Sequence, residues 1–120
     1  MKKCIFILED DDDIREIIAY FLSESGYEVK TYARVVEFND ALPFELPDLF
    51  LLDIMLPDGT GLEVCRTIKA NPSNSHIPVI LMSAVSHSRA TLNEVNAQHF
   101  INKPFDLTDL LKQIEFHLSA

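Results

Sequence analysis

The sequence predicts an α/β fold in which a doubly wound, five-stranded parallel sheet is covered by helices on both faces. Three observations lead there. Short apolar runs such as Cys4 to Leu8 (CIFIL), Leu49 to Leu52 and Pro78 to Met82 (PVILM) are unbroken rather than alternating, as strands buried on both faces require. Segments with apolar residues at helical spacing separate these runs. Most of the runs also end in a polar residue able to do chemistry, and in open α/β sheets such groups collect at the carboxyl ends of the strands.

Taken in order, Cys4 to Leu8 forms the first strand and acid ends it abruptly. From Asp13 to Ser25, Ile14, Ile17, Ile18, Phe21 and Leu22 recur at helical spacing, with acidic residues in the first turn and Gly26 as a stop. Asp11, Asp12 and Asp13 read as a solvated acidic start, with Asp12 or Asp13 as the helix cap. Tyr27 to Tyr32 (YEVKTY) alternates like an edge strand, and Val35 to Leu42 is a short helix closed by Pro43. Leu49 to Leu52 is a buried strand ending at Asp53, after which LPDGTG reads as a loop and Leu62 to about Ala70 as a helix. Pro78 to Met82 ends in Ser83, and Phe100 to Ile101 is a shorter strand just before Lys103. Between them, residues 86 to 97 carry only Leu92 and Val95 as large apolar anchors, which predicts a short, loosely held fourth helix. Asp106 to Leu118 is an amphipathic helix with Leu107, Leu110, Leu111, Ile114 and Leu118 inward.

A chain of 120 residues fits one core and one domain, residues 1 to 120. The net charge of −9 repels phosphate backbones and anionic lipid, which argues against direct nucleic-acid or membrane binding. Cys4 and Cys65 lie in apolar stretches without CxxC spacing and read as reduced packing residues; His76, His87, His99 and His117 show no zinc-ligand pattern. The opening MKKCIFIL has too short an apolar run for a signal peptide, and no run reaches membrane-spanning length. The expected compartment is the cytoplasm.

The strand ends bring Glu9, Asp10, Asp53, Ser83 and Lys103 to one edge. Three carboxylates in one place repel each other unless a cation neutralises them, and a hard, oxygen-seeking Mg²⁺ fits, with Mn²⁺ as the alternative ion. Met55 can offer its main-chain carbonyl to that ion, while Pro57, Gly59 and Gly61 shape a loop that leaves Asp53 reachable. Lys103, at the end of a buried strand, needs a partner to be tolerated there and reads as the counter-ion of the cluster.

The pieces ILED followed by DIRE, LFLLDIMLPDGTGLEV, PVILMSA and FINKPF together resemble the receiver domain of bacterial two-component response regulators across essentially the whole chain. The resemblance implies the flavodoxin-like strand order 2-1-3-4-5. It also implies that Asp53 accepts a phosphoryl group from the phosphohistidine of a histidine kinase or phosphotransfer protein. Asp10, Asp53 and the Met55 carbonyl would then bind Mg²⁺, with Glu9 acting mostly through water. Ser83 and Lys103 would each contact a phosphoryl oxygen, Phe100 would be the aromatic switch, and Lys103–Pro104 would be cis. On that view the chain is no enzyme with its own substrate but a phosphoacceptor that assists its own phosphorylation and dephosphorylation, read by a downstream effector domain or protein. It fits a stand-alone receiver and a piece of a longer regulator equally.

The stretch from Ser83 to Lys103 is shorter than is usual for such receivers, and Asn96, Gln98 and His99 replace the small and acidic residues expected before the aromatic. The fourth helix is therefore expected to be short or irregular, and the output surface unusual. Two alternatives stand beside the switch. One is a receiver-like interaction module that works without phosphorylation. The other is a Mg²⁺-dependent phosphatase with an aspartyl nucleophile, suggested by DGT at 58 to 60 but lacking the second acid it needs, since that position is Met55.

Overall fold

The computed structural model describes residues 2–42, 44–86 and 88–119. Five strands form one parallel sheet: β1 (Cys4–Leu8), β2 (Glu28–Tyr32), β3 (Leu49–Asp53), β6 (Val79–Ser83) and β7 (His99–Asn102), in spatial order β2-β1-β3-β6-β7. Numbered among themselves these strands run 2-1-3-4-5, as expected. Two short strands, β4 (Met55–Leu56) and β5 (Gly59–Thr60), pair antiparallel outside the sheet. The helices are α1 (Asp12–Glu24), α2 (Val35–Ala41), α3 (Gly61–Ala70), α4 (Arg89–Val95) and α5 (Leu107–Leu118).

The unbroken apolar runs are explained by burial on both sides. Phe6, Leu8, Phe50, Leu52, Val79 and Leu81 face one layer with Phe38, Val64, Cys65, Ile68 and Val95 of α2, α3 and α4. Their neighbours Ile5, Ile7, Leu49, Leu51, Ile80 and Met82 face the other, with Ile18 and Leu22 of α1 and Leu110 and Ile114 of α5. Period-two alternation thus feeds two cores at once. The first core holds an aromatic group, with Phe38 lying edge-on to Phe50 and Tyr32 at ring separations of 5.6 Å.

Several boundaries move for reasons of capping. The Asp11 side chain accepts the amide of Ile14, so α1 starts at Asp12 and its cap is Asp11, not Asp12 or Asp13. Thr60 caps α3 through the amide of Glu63, which begins that helix at Gly61 rather than Leu62. Within LPDGTG, expected to be a plain loop, Met55 pairs with Thr60 and Leu56 with Gly59. The last strand extends to His99–Asn102, each residue in register with β6. The expected helix stop at Pro43 lies outside the described residues.

The fourth helix is seven residues long, shorter than the 86 to 97 stretch. Ser88 caps it by accepting the Thr91 amide, and Asn96 closes it in the left-handed conformation at φ 60°. Val95 anchors it in the core, and its carbonyl accepts the Cys65 thiol at 3.2 Å. Gln98 has a role of its own, since its side-chain oxygen accepts the Val79 amide at the start of β6. Burial pushes the Cys65 thiol up to about 11, and both cysteines are free thiols. No helix among the described residues is long and apolar enough to cross a membrane.

Helix α2 receives no cap from its own Arg34 side chain; instead Asp58 accepts the amides of Val35 at 2.9 Å and Val36 at 3.1 Å. Those bonds, led by Val35, hold the Asp58 carboxyl below its ordinary value. A depressed carboxylate contributes stability above its unfolded value of 3.8, and that stability is lost as pH falls through the folded value. Asp58→Asn is expected to lower the melting temperature at pH 7, with the gap from wild type closing as pH falls below 3.8 and through the depressed folded value. Parallel melting curves at every pH would contradict the cap.

Candidate functional site

In this strand order the chain leaves β1 toward one side and β3 toward the other, so a crevice opens beyond their carboxyl ends. Glu9 and Asp10 follow β1, and Asp53 is the last residue of β3. Carboxylate oxygens of Glu9, Asp10 and Asp53 lie within 4.8 Å of one another. Glu9 is fully buried, Asp53 is 4 % exposed and Asp10 faces solvent.

Lys103, just past β7, reaches across the sheet edge. Its ammonium pairs with Glu9 Oε1 and lies 3.2 Å from Asp53 Oδ2. The other Glu9 oxygen accepts the Asp11 amide at 3.1 Å. Burial raises the Glu9 carboxyl above its ordinary value, against the opposing pull of Lys103 and the Asp11 amide. Burial likewise opposes the charge on Lys103, yet Glu9 and Asp53 together hold its ammonium above the ordinary lysine value. One ammonium faces three carboxylates, so the cluster retains net negative charge with only oxygen donors. That donor set suits a hard divalent cation: Glu9, Asp10 and Asp53 fit Mg²⁺.

Ser83 ends β6, is fully buried, and accepts the Val85 amide on its hydroxyl at 3.1 Å. It stands next to the cluster, since the Ile54 amide donates to the Met82 carbonyl and the Lys103 amide to the Ser83 carbonyl. The Lys103–Pro104 bond is cis, as the resemblance implied. The Met55 side chain is exposed at the rim, within β4. Phe100 stands opposite Leu81 in β7, half-buried against the core of α2, α3 and α4.

Three features of the site were not read from sequence. Gly61, expected only to shape the loop after Asp53, is the first residue of α3 and fits against the backbone of Asp53 so closely that a Cβ there would lie 2.3 Å from the Asp53 carbonyl oxygen. Arg15 donates from Nη1 to the carbonyls of Glu9 at 2.9 Å and Asp10 at 3.5 Å, and no pattern of polarity announces such a contact. Asp58, whose DGT setting suggested phosphatase chemistry, caps α2.

A family model described as the response regulator receiver domain matches residues 5–115. The chain is 34% identical over 115 residues to the transcriptional regulatory protein GltR of Pseudomonas aeruginosa, covering 94% of this chain and 48% of that protein. It spans about half the length of the curated relatives it matches. Among solved structures, a CheY-like response regulator receiver domain protein from Methanospirillum hungatei superimposes with a TM-score of 0.92 at 27% identity, covering 99% of this chain and 95% of that one. The response regulator TrrA of Thermotoga maritima, solved in complex with Mg²⁺-BeF, gives a TM-score of 0.86 at 31% identity, covering 98% of this chain and 100% of that one.

Proposed function

The chain belongs to the family of response regulator receiver domains, and on that footing we propose that it is the phosphoacceptor switch of a two-component phosphorelay, residues 1 to 120 acting as one unit. The observation that carries the reading is the Asp53 carboxylate, held at a strand end 3.2 Å from the Lys103 ammonium and beside Glu9 and Asp10. An Asp53 oxygen attacks the phosphorus of a phosphohistidine in a histidine kinase or phosphotransfer protein. The phosphorus–nitrogen bond breaks and the imidazole departs with its electron pair.

Such transfer needs alignment and charge neutralisation more than covalent help. Lys103 neutralises one phosphoryl oxygen, and the Ser83 hydroxyl donates to another once turned toward it. Asp10, Asp53 and the Met55 carbonyl would hold Mg²⁺, or Mn²⁺ in its place, with Glu9 acting mostly through water. The bound ion supplies charge neutralisation on the transferring group. The TrrA neighbour, solved with Mg²⁺-BeF, supports that choice of ion. Movement of Ser83 would draw on Phe100 next to the shortened α4, and a downstream effector would read the changed face. Relatives named as transcriptional regulators support a DNA-binding effector lying outside this acidic domain. The cytoplasm is the compartment this reading implies.

Intact mass after incubation with acetyl phosphate or phosphoramidate tests it. A gain of about 80 Da, one phosphoryl group replacing a proton, is expected in the wild type with Mg²⁺ and in neither Asp53→Asn nor EDTA. An adduct retained in Asp53→Asn would overturn the assignment. Mg²⁺ alone is also expected to raise the melting temperature, by the equivalent of about 1.4 kcal/mol at ten times its dissociation constant. A melting curve indifferent to millimolar Mg²⁺ would contradict the metal site.

A further inference from the structure

Arg15 lies in the first turn of α1, and its side chain is only 18% exposed despite its charge. Nη1 donates to the Glu9 carbonyl at 2.9 Å and more weakly to the Asp10 carbonyl at 3.5 Å, while Nη2 meets the Asp12 carboxylate at 2.5 Å. These two carbonyls belong to the residues that carry the acidic pair, where the chain has left the sheet. The Glu9 amide still bonds back to the Tyr32 carbonyl at 3.0 Å. Asp10 is exposed and beyond the β1 ladder, so the direction of its carboxylate follows from the shape of its turn.

The planar guanidinium is suited to this because its donors diverge at fixed angles, and a single arginine can grip successive carbonyls and a carboxylate together. An ion pair to Asp12 alone would not account for the burial: the Asp12 side chain is 78% exposed, and such a pair contributes little. We infer that Arg15 is a positioning residue for the divalent cation, fixing the Glu9–Asp10 turn so that both carboxylates are aimed before the ion arrives. The inference rests on the metal site of the proposed function.

Charge and positioning act in opposite directions here, which makes the test decisive. A guanidinium near the cluster repels a cation, so removing its charge alone would tighten Mg²⁺ binding. Loss of the grip on the turn would weaken it, since outer partners of metal ligands commonly control affinity by tenfold or more.

Isothermal titration with MgCl₂ of the wild-type chain, Arg15→Gln and Arg15→Lys is the experiment, with melting in EDTA alongside. The dissociation constant of Arg15→Gln is expected to rise about tenfold. That of Arg15→Lys, which keeps the charge and the aliphatic stem but not the fork, is expected to rise at least about threefold, and it decides the matter should the glutamine variant not fold. An unchanged or tighter constant in the folded variant, with or without a lower melting temperature in EDTA, would mean that Arg15 merely braces the helix and would overturn the inference. A wild type that takes up no Mg²⁺ overturns it together with the metal site, whereas normal wild-type binding with unaffected variants overturns it alone.

Discussion

Lys103→Met is expected to lose about 3 kcal/mol of stability at pH 8 in EDTA, because it strips the ammonium from two nearly buried carboxylates and leaves their charge uncompensated. The wild-type pair does not imply a stabilising contribution of that size. The loss reflects the exposed penalty of Glu9 and Asp53 rather than the worth of the contact. Glu9 provides the internal check. Its carboxyl already stands above its ordinary value through burial. A raised acid contributes stability that is present below its unfolded value of 4.5 and is lost as pH rises through the folded value.

Without Lys103 that upward displacement grows, so the deficit of the variant is expected to shrink markedly between pH 8 and pH 5. Urea unfolding at the two pH values measures it, and an equal deficit at both would rule out the charge argument. The same substitution is expected to slow phosphorylation from acetyl phosphate about a hundredfold at saturating Mg²⁺, the scale of losing one preorganised group that stabilises developing charge. A rate within twofold of wild type would remove Lys103 from the proposed chemistry.

Gly61→Val is expected to cost about 3 kcal/mol or more, at the upper end of what overpacking does. The reason is backbone rather than side chain. A Cβ on residue 61 would sit 2.3 Å from the carbonyl oxygen and 2.9 Å from the carbonyl carbon of Asp53, and 3.0 Å from the Cα of Ile54. None of these atoms can swing aside. The Gly61 amide also donates to the Ile54 carbonyl at 2.9 Å, pinning the first turn of α3 against the end of β3. Relief therefore requires α3 to lift or Asp53 to shift, and either change moves the proposed nucleophile.

Stability and phosphorylation are accordingly expected to fall together in Gly61→Val. Gly26→Ala offers the contrast: no atom lies within 4 Å of a Cβ there, and only the φ of +100° resists substitution. It is expected to cost about 1 kcal/mol, by the backbone preference alone, and to leave phosphorylation intact at temperatures where the variant is folded. A Gly61→Val protein that unfolds at the wild-type urea concentration would refute the close approach.

What the sequence determined by itself was whatever depends on local composition. Unbroken runs such as CIFIL and PVILM fit strands covered on both faces, and their alternation with segments of helical spacing gave the α/β class. A polar residue within two positions of the end of such a run must lie at the carboxyl edge of the sheet, and this put Glu9, Asp10, Asp53, Ser83 and Lys103 on one rim before any coordinate did. The gap in apolar anchors between 86 and 97 likewise foretold a short α4.

Only the tertiary structure decided which polar group answers which backbone group across the chain. Asp58 caps a helix 22 residues before it, Gln98 completes the start of β6, and Arg15 grips the turn that carries the acidic pair. Each is a surface-compatible residue whose local pattern is satisfied equally well by water. Their partners are fixed by the directions in which folded strands and helices present amides and carbonyls, and periodicity along the chain carries none of that information.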